Sequence, residues 1–232
     1  MTPVAGRRVA VLPARGGSKR LARKNIVELA GRPALAHVVS SAQTSGLFER
    51  VVVSTDDREI ADVARTAGSE VIGRPADLGS DTASVAEVCV HALRQDGAAN
   101  GLAEAFCCLY PTAVFVTPED LRAAFALLDS SPPADVVMGV SEYPIHPYKA
   151  LGEHEGYLVP QFPREAAMKS QFYPTFVASN GTLYWGRTEG FLAHPTFYPM
   201  RLKGHVLPRR RAVDIDTPED LAWARQLAEL TE

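Results

Sequence analysis

RVAVLPA (8–14), PALAHVVSSAQTSG (33–46), RVVVST (50–55), EIADVARTAG (59–68) and EVIG (70–73) alternate short β-rich runs with amphipathic segments of helical period. Strands alternating with helices build βαβ units, so the chain predicts a Rossmann-like, doubly wound α/β fold with a mostly parallel sheet. The pattern continues with a helix in VAEVCVHAL (85–93), a buried strand in AFCCLYPTA (105–113) and a helix in PEDLRAAFALLDS (118–130) opened by Thr117 and Pro118. From 141 to 185 prolines and aromatics crowd a stretch with few helical periods, which reads as a small β-rich excursion that dimerises. AVDID (212–216) then has strand character, and TPEDLAWARQLAEL (217–230) closes as a helix. The expected main domain is 1–140 with 186–232, and the inserted subdomain is 141–185.

The 232 residues, 46% of them apolar, suffice for one medium domain with a real core. Twenty-four Lys and Arg against 27 Asp and Glu leave a net charge of −3, which excludes a general nucleic-acid coat or an anionic-membrane binder. Cys89, Cys107 and Cys108 have neither disulfide nor zinc spacing and read as reduced packing residues. The opening residues lack a leader-type apolar core and no run of about 18 apolar residues occurs, so a soluble, cytoplasmic protein is expected. TPEDL occurs at 117–121 and 217–221, each copy with helix-capping chemistry, and the run Arg209, Arg210, Arg211 reads as a solvated loop.

Charge is concentrated after the first strand: residues 1–27 hold seven Lys or Arg and no acid. Doubly wound sheets bind ligands at the carboxyl ends of their strands, where glycines let backbone amides approach phosphate oxygens. In LPARGGSKRLARKN (12–25), Gly16 and Gly17 permit that approach. Arg15, Ser18, Lys19 and Lys24 then suit a triphosphate, with Asn25 donating an amide. The loop is neither GxxxxGK[ST] nor GxGxxG, which removes the main support for a P-loop ATPase or a dinucleotide oxidoreductase.

VLPARGGSKRLARKN (11–25) resembles the N-terminal signature of the CMP-sialic acid synthetases, cytidylyltransferases that activate nine-carbon acidic sugars. Further similarities follow in order: STDD (54–57), RP (74–75), SDTAS (80–84), LYPTA (109–113), HPYKAL (146–151), SNGTLYW (179–185) and DIDTPED (214–220). The resemblance implies transfer of CMP from CTP to an acidic acceptor, with Mg²⁺, release of pyrophosphate and a homodimeric enzyme. Carried over by motif, Arg15, Lys19, Lys24 and Asp216 would be catalytic. Gly17, Ser18, Asn25, Arg74, Asp81 and Ser84 would join the three cations around the nucleotide, although a helix cap is an equal reading of Ser84. Asp214 and Asp216, on one face of an extended segment, would ligate the metal. Tyr110, Lys149, Lys169, Gln171 and Asn180 would meet the acceptor, Lys149 across the dimer interface. Asp56 and Asp57 are expected to start the next helix.

The acceptor half departs from the sialate pattern. An arginine-rich RRQD-like segment is replaced by KSQF (169–172), with the nine-residue spacing from Gln171 to Asn180 kept. Lys169 offers a point charge without the guanidinium fork, and Phe172 stands where a carboxylate would accept hydrogen bonds. Tyr110 occupies a position commonly glutamine. These changes drift toward the pseudaminate- and legionaminate-type branch. A small phosphonate such as phosphonoformate is the alternative acceptor. A sugar-1-phosphate nucleotidyltransferase and a non-catalytic nucleotide-binding regulator are the competing classes.

Overall fold

The protein is described by a computed structural model over residues 6–230. The first five residues, part of the opening stretch judged for an apolar leader core, lie outside the described range. In chain order the elements are β1 (Arg8–Pro13), a small hairpin β2 (Glu28–Leu29) and β3 (Arg32–Pro33), α1 (Ala34–Thr44), β4 (Arg50–Thr55), α2 (Arg58–Thr66) and β5 (Glu70–Gly73). Then come α3 (Val85–Asn100), β6 (Ala105–Leu109), α4 (Pro118–Asp129), β7 (Val136–Glu142), a second hairpin β8 (Leu151–His154) and β9 (Tyr157–Pro160), and α5 (Pro163–Ala166). The chain ends with β10 (Val177–Arg187), α6 (Thr188–Ala193), β11 (Leu202–Val206) and α7 (Pro218–Glu229).

Seven strands form one sheet in the order β11-β7-β10-β6-β1-β4-β5. Only β10 runs against the rest, pairing antiparallel with both β6 and β7. The doubly wound, mostly parallel reading therefore holds. Because helices cover both faces, central strands are buried throughout instead of alternating, as in β6, where all five residues are inside. The core on one face joins Leu12, Leu35, Val39, Leu121 and Trp185. That on the other joins Val11, Leu93, Phe106 and Phe191. α1 buries Ala34, Leu35, Val38, Val39 and Ala42, the single apolar stripe that helical spacing predicts. Trp185 is fully buried, stacked 5.0 Å from Phe48 at 8° and tilted against Phe125 at 4.8 Å. All three cysteines are free and buried. Among the described residues, no helix is long and apolar enough to cross a membrane.

Two expectations need correction. The excursion does not fill 141–185: the chain leaves the sheet at Glu142 and rejoins it at Val177, because 177–187 is β10, held between β6 and β7. Between them lie one hairpin and short helical turns, a mixed arm, not a β-rich subdomain. His146, Tyr148, Tyr173 and Phe176 stack on one another at its base, with ring centroids 4.6 to 5.3 Å apart. Nor is 212–216 a strand. It has no regular secondary structure, with Val213 and Ile215 buried against α7 and Leu29, and it pairs with no strand among the described residues.

Both TPEDL copies cap their helices, with Thr117 and Thr217 each accepting from the amide three residues on at 3.2 Å. The first copy also sits inside the fold. Asp120 is buried and accepts from Arg211 Nη1 at 2.7 Å, with His205 Nε2 at 3.2 Å. Arg211 is therefore an internal tie, not part of a solvated run.

Candidate active site

The basic loop leaves β1 at the carboxyl end of the sheet, where strand order reverses between β4 and β6, the position at which such sheets bind ligands. Its shape is imposed from β4's exit. The Gly16 amide donates to Asp56 Oδ1 at 3.0 Å, and a Cβ on Gly16 would stand 2.6 Å from Asp57 Oδ2, so only glycine fits there. Arg23, in left-handed geometry at φ 57°, pairs with Asp57 at 2.8 Å and with Glu59. Asp57 caps α2 as expected, whereas Asp56 clamps the loop. Gly17 has open space around its α-carbon, leaving its backbone approachable.

The loop cations meet acids from two other elements. Arg15 Nη1 donates to Asp81 Oδ1 at 2.8 Å, and Lys19 Nζ to Asp81 Oδ2 at 2.5 Å. Lys24 and Arg20 both pair with Asp216. Lys19 and then Arg15 hold the Asp81 carboxyl below its ordinary range. Burial pushes Asp216 up, but Lys24 and Arg20 outweigh it and hold that carboxyl down as well. Asp214 goes the other way, raised by crowding and next by the charge of Asp216. It keeps one side open to solvent, so its rise comes from the protein packed around the other.

Two clefts adjoin at this loop. One, about 220 Å³, is walled by Arg74, Ser80, Asp81, Tyr110 and Thr112. The other, about 280 Å³, is walled by Ser18, Lys19, Arg20 and Asp216. Arg15, Lys24, Asn25 and Asp81 line both. Arg74 is buried, donating to the Ser54 carbonyl at 2.7 Å. Tyr110 packs 5.7 Å from Tyr184, and burial pushes its hydroxyl well above the usual phenol range, so it acts as a neutral hydrogen-bonding group.

Several candidates do other work. Ser84 caps α3 in a reciprocal box with Glu87, and its neighbours Ala83 and Val85 line the cleft instead. Asn25 spends an amide hydrogen on the Arg15 carbonyl at 2.8 Å, bracing the loop. Asn180 donates to Ser141 Oγ at 3.1 Å and accepts from Thr182 Oγ1 at 2.6 Å, so much of its amide is engaged internally. It still borders a third cleft, about 560 Å³, which Asp214 shares. Lys149, Lys169 and Gln171 are exposed on the arm and line none of the three clefts within one chain. Sequence reasoning missed Arg20, Arg23 and the clamping role of Asp56. An acidic pair leaving one strand opposite a basic loop leaving the next was the available signal.

The sequence of residues 9–231 matches the family model described as cytidylyltransferase. The chain is 31% identical to a pseudaminic acid cytidylyltransferase of Campylobacter jejuni, over 94% of each chain. It is also 31% identical to a CMP-N,N'-diacetyllegionaminic acid synthase of Legionella pneumophila, over 97% of each. An N-acylneuraminate cytidylyltransferase of Escherichia coli is 25% identical over 93% of this chain and 51% of its own. The fold matches a CMP:2-keto-3-deoxy-manno-octonic acid synthetase solved with CTP at a TM-score of 0.72 and 17% identity, covering 97% of this chain and 100% of that one. A cation-lined groove at the switch point of a doubly wound sheet and a sequence match spanning nearly its whole length agree: the chain belongs to the cytidylyltransferase family, akin to the CMP-sialic acid synthetases, and is a CTP-dependent nucleotidyltransferase.

Proposed function

We propose that the enzyme transfers CMP from CTP to a nonulosonic acid, a nine-carbon acidic sugar of the pseudaminic or legionaminic type, and releases pyrophosphate. The observation that carries this reading is the meeting of Lys24 and Arg20 with Asp216, which joins the phosphate-binding loop to the acidic doublet. The acceptor hydroxyl attacks the α-phosphorus, a new O–P bond forms, the bond to the β-phosphate breaks, and the hydroxyl proton leaves to solvent or to the released pyrophosphate. Arg15, Lys19 and Lys24 offset the charge that develops on the departing pyrophosphate. The smaller cleft, with Arg74, Tyr110 and Thr112, takes the nucleoside, which assigns Tyr110 to the nucleotide instead of the acceptor.

Asp214 and Asp216 fit Mg²⁺, a hard cation commonly held by one or two carboxylates together with substrate phosphates. Asp214 has no hydrogen-bond or ion-pair partner among the described residues; burial and then the charge of Asp216 raise its carboxyl above the ordinary range, and a cation would offset that second effect. A divalent ion there would neutralise charge at the α-phosphate.

The arm fits a second copy of the chain. Ile145, Tyr157, Leu158 and Phe172 are exposed, and an unsupported two-stranded hairpin is marginal in water. In a dimer, Lys149 and Lys169 approach the partner's acceptor. The direct test is pyrophosphate release from CTP and Mg²⁺ with pseudaminic, legionaminic and N-acetylneuraminic acids beside phosphonoformate. Turnover with a nine-carbon acid is expected, and release with phosphonoformate alone would overturn the acceptor assignment.

A further inference from the structure

The third cleft lies beside the donor groove, and residues 214–216 divide them: Asp216 faces the loop cations, while Asp214 lines the cleft of about 560 Å³. That volume falls within the ~300–1,000 Å³ usual for small-ligand pockets. An acceptor hydroxyl must reach the α-phosphate from the side not occupied by the leaving group, and this cleft meets the acidic doublet at Asp214, across from the loop cations that line the other cleft with Asp216.

Two arginines stand at the cleft wall. Of the three in a row, Arg211 is consumed by Asp120, but Arg209 and Arg210 have no acidic partner among the described residues. Their backbone is held on both sides: the Leu207 amide bonds the Val140 carbonyl at 2.8 Å, the Leu207 carbonyl accepts from Ser141 Oγ at 3.1 Å, and Arg211 is tied down beyond. Of the acids on this wall, Asp220 is occupied by its capping box and Asp214 belongs to the proposed metal site, leaving Glu142 at the rim. Trp223 is 53% exposed on the same wall and offers a flat apolar face of the sort that packs against a sugar ring.

We propose that Arg209 and Arg210 bind the carboxylate of the acceptor, with Trp223 against its ring, so that this cleft is the acceptor site of the chain itself. The inference rests on the nonulosonic-acid reading above. It accounts for the loss of arginine from KSQF: the planar, forked cations that suit a carboxylate are supplied from 209 and 210 instead.

The test uses the full-length enzyme. Arg209→Ala/Arg210→Ala is expected to raise the KM for the acid about tenfold or more, and Arg209→Lys/Arg210→Lys to restore part of the loss. CTP affinity by calorimetry should not move. The carboxamide of the same acid, lacking the charge, should be insensitive to the substitutions. Both arginines are exposed and unpaired, so the fold should survive, and Trp223→Ala gives an independent rise in KM. Wild-type turnover with an unchanged KM in the double variant would sink this inference alone. A wild-type enzyme inactive toward every nine-carbon acid would remove the parent reading, and this one with it.

Discussion

The loop that follows β1 and the arm between β7 and β10 are built on opposite terms. In the loop, Arg15 and Lys19 share Asp81, Lys24 and Arg20 share Asp216, and Arg23 is held by Asp57 and Glu59. Its charges are placed before any ligand arrives, which spares the cost of ordering them later. On the arm, Lys149 and Lys169 form no ion pair among the described residues, and much of the apolar surface faces water. One region is preorganised by its own sequence; the other leaves charge and apolar surface open to solvent.

The sharpest way to break this contrast is Asp216→Ala. Turnover should fall by at least about a hundredfold while the fold persists, because the residue anchors both the loop cations and the proposed metal. Near-normal rates, measured by pyrophosphate release, would mean that the loop is not organised around the doublet. Next comes the arm. Lys149→Ala/Lys169→Ala should raise the acceptor KM about fivefold and leave CTP affinity alone, a smaller effect than expected for the arginine pair because flexible lysines hold a carboxylate less tightly. Sedimentation of the wild type should give a dimer. A monomer at micromolar concentration would remove the arm's stated occupant. The smallest effect belongs to Asp81. Exposed ion pairs contribute little, so Asp81→Ala, by freeing Arg15 and Lys19, should tighten CTP binding only about twofold. Clear weakening in calorimetry would show that Asp81 holds the nucleotide instead.

Legibility followed burial and periodicity. The strands 8–14, 50–55 and 70–73 could be read because fully buried β-runs between amphipathic helices leave a pattern that tertiary packing does not alter. The basic loop was legible from charge, and Thr117 and Thr217 from capping chemistry. What stayed hidden depended on partners distant in sequence. Nothing local distinguishes Arg211, half-buried and paired with the buried Asp120, from Arg209 and Arg210, which face a cleft. Ser84 and Asn25 carry the right chemistry for a nucleotide, yet local hydrogen bonds to Glu87 and Arg15 claim them first. The stretch 212–216 alternates like a strand because its neighbours bury every second residue, although no ladder forms.

β10 joins the two regions. It begins where the arm ends, shifts register between Ser179 and Tyr184, and carries Gly181 at φ 65°, where a Cβ would lie 3.2 Å from Asp214 Oδ2 and 3.8 Å from Tyr110. Only three residues separate the strand's first residue from Gly181, with no loop between them. Any pull on the arm by the proposed second copy would pass along this continuous backbone to the glycine that lies beside Asp214 and Tyr110, tying assembly to the geometry of the site.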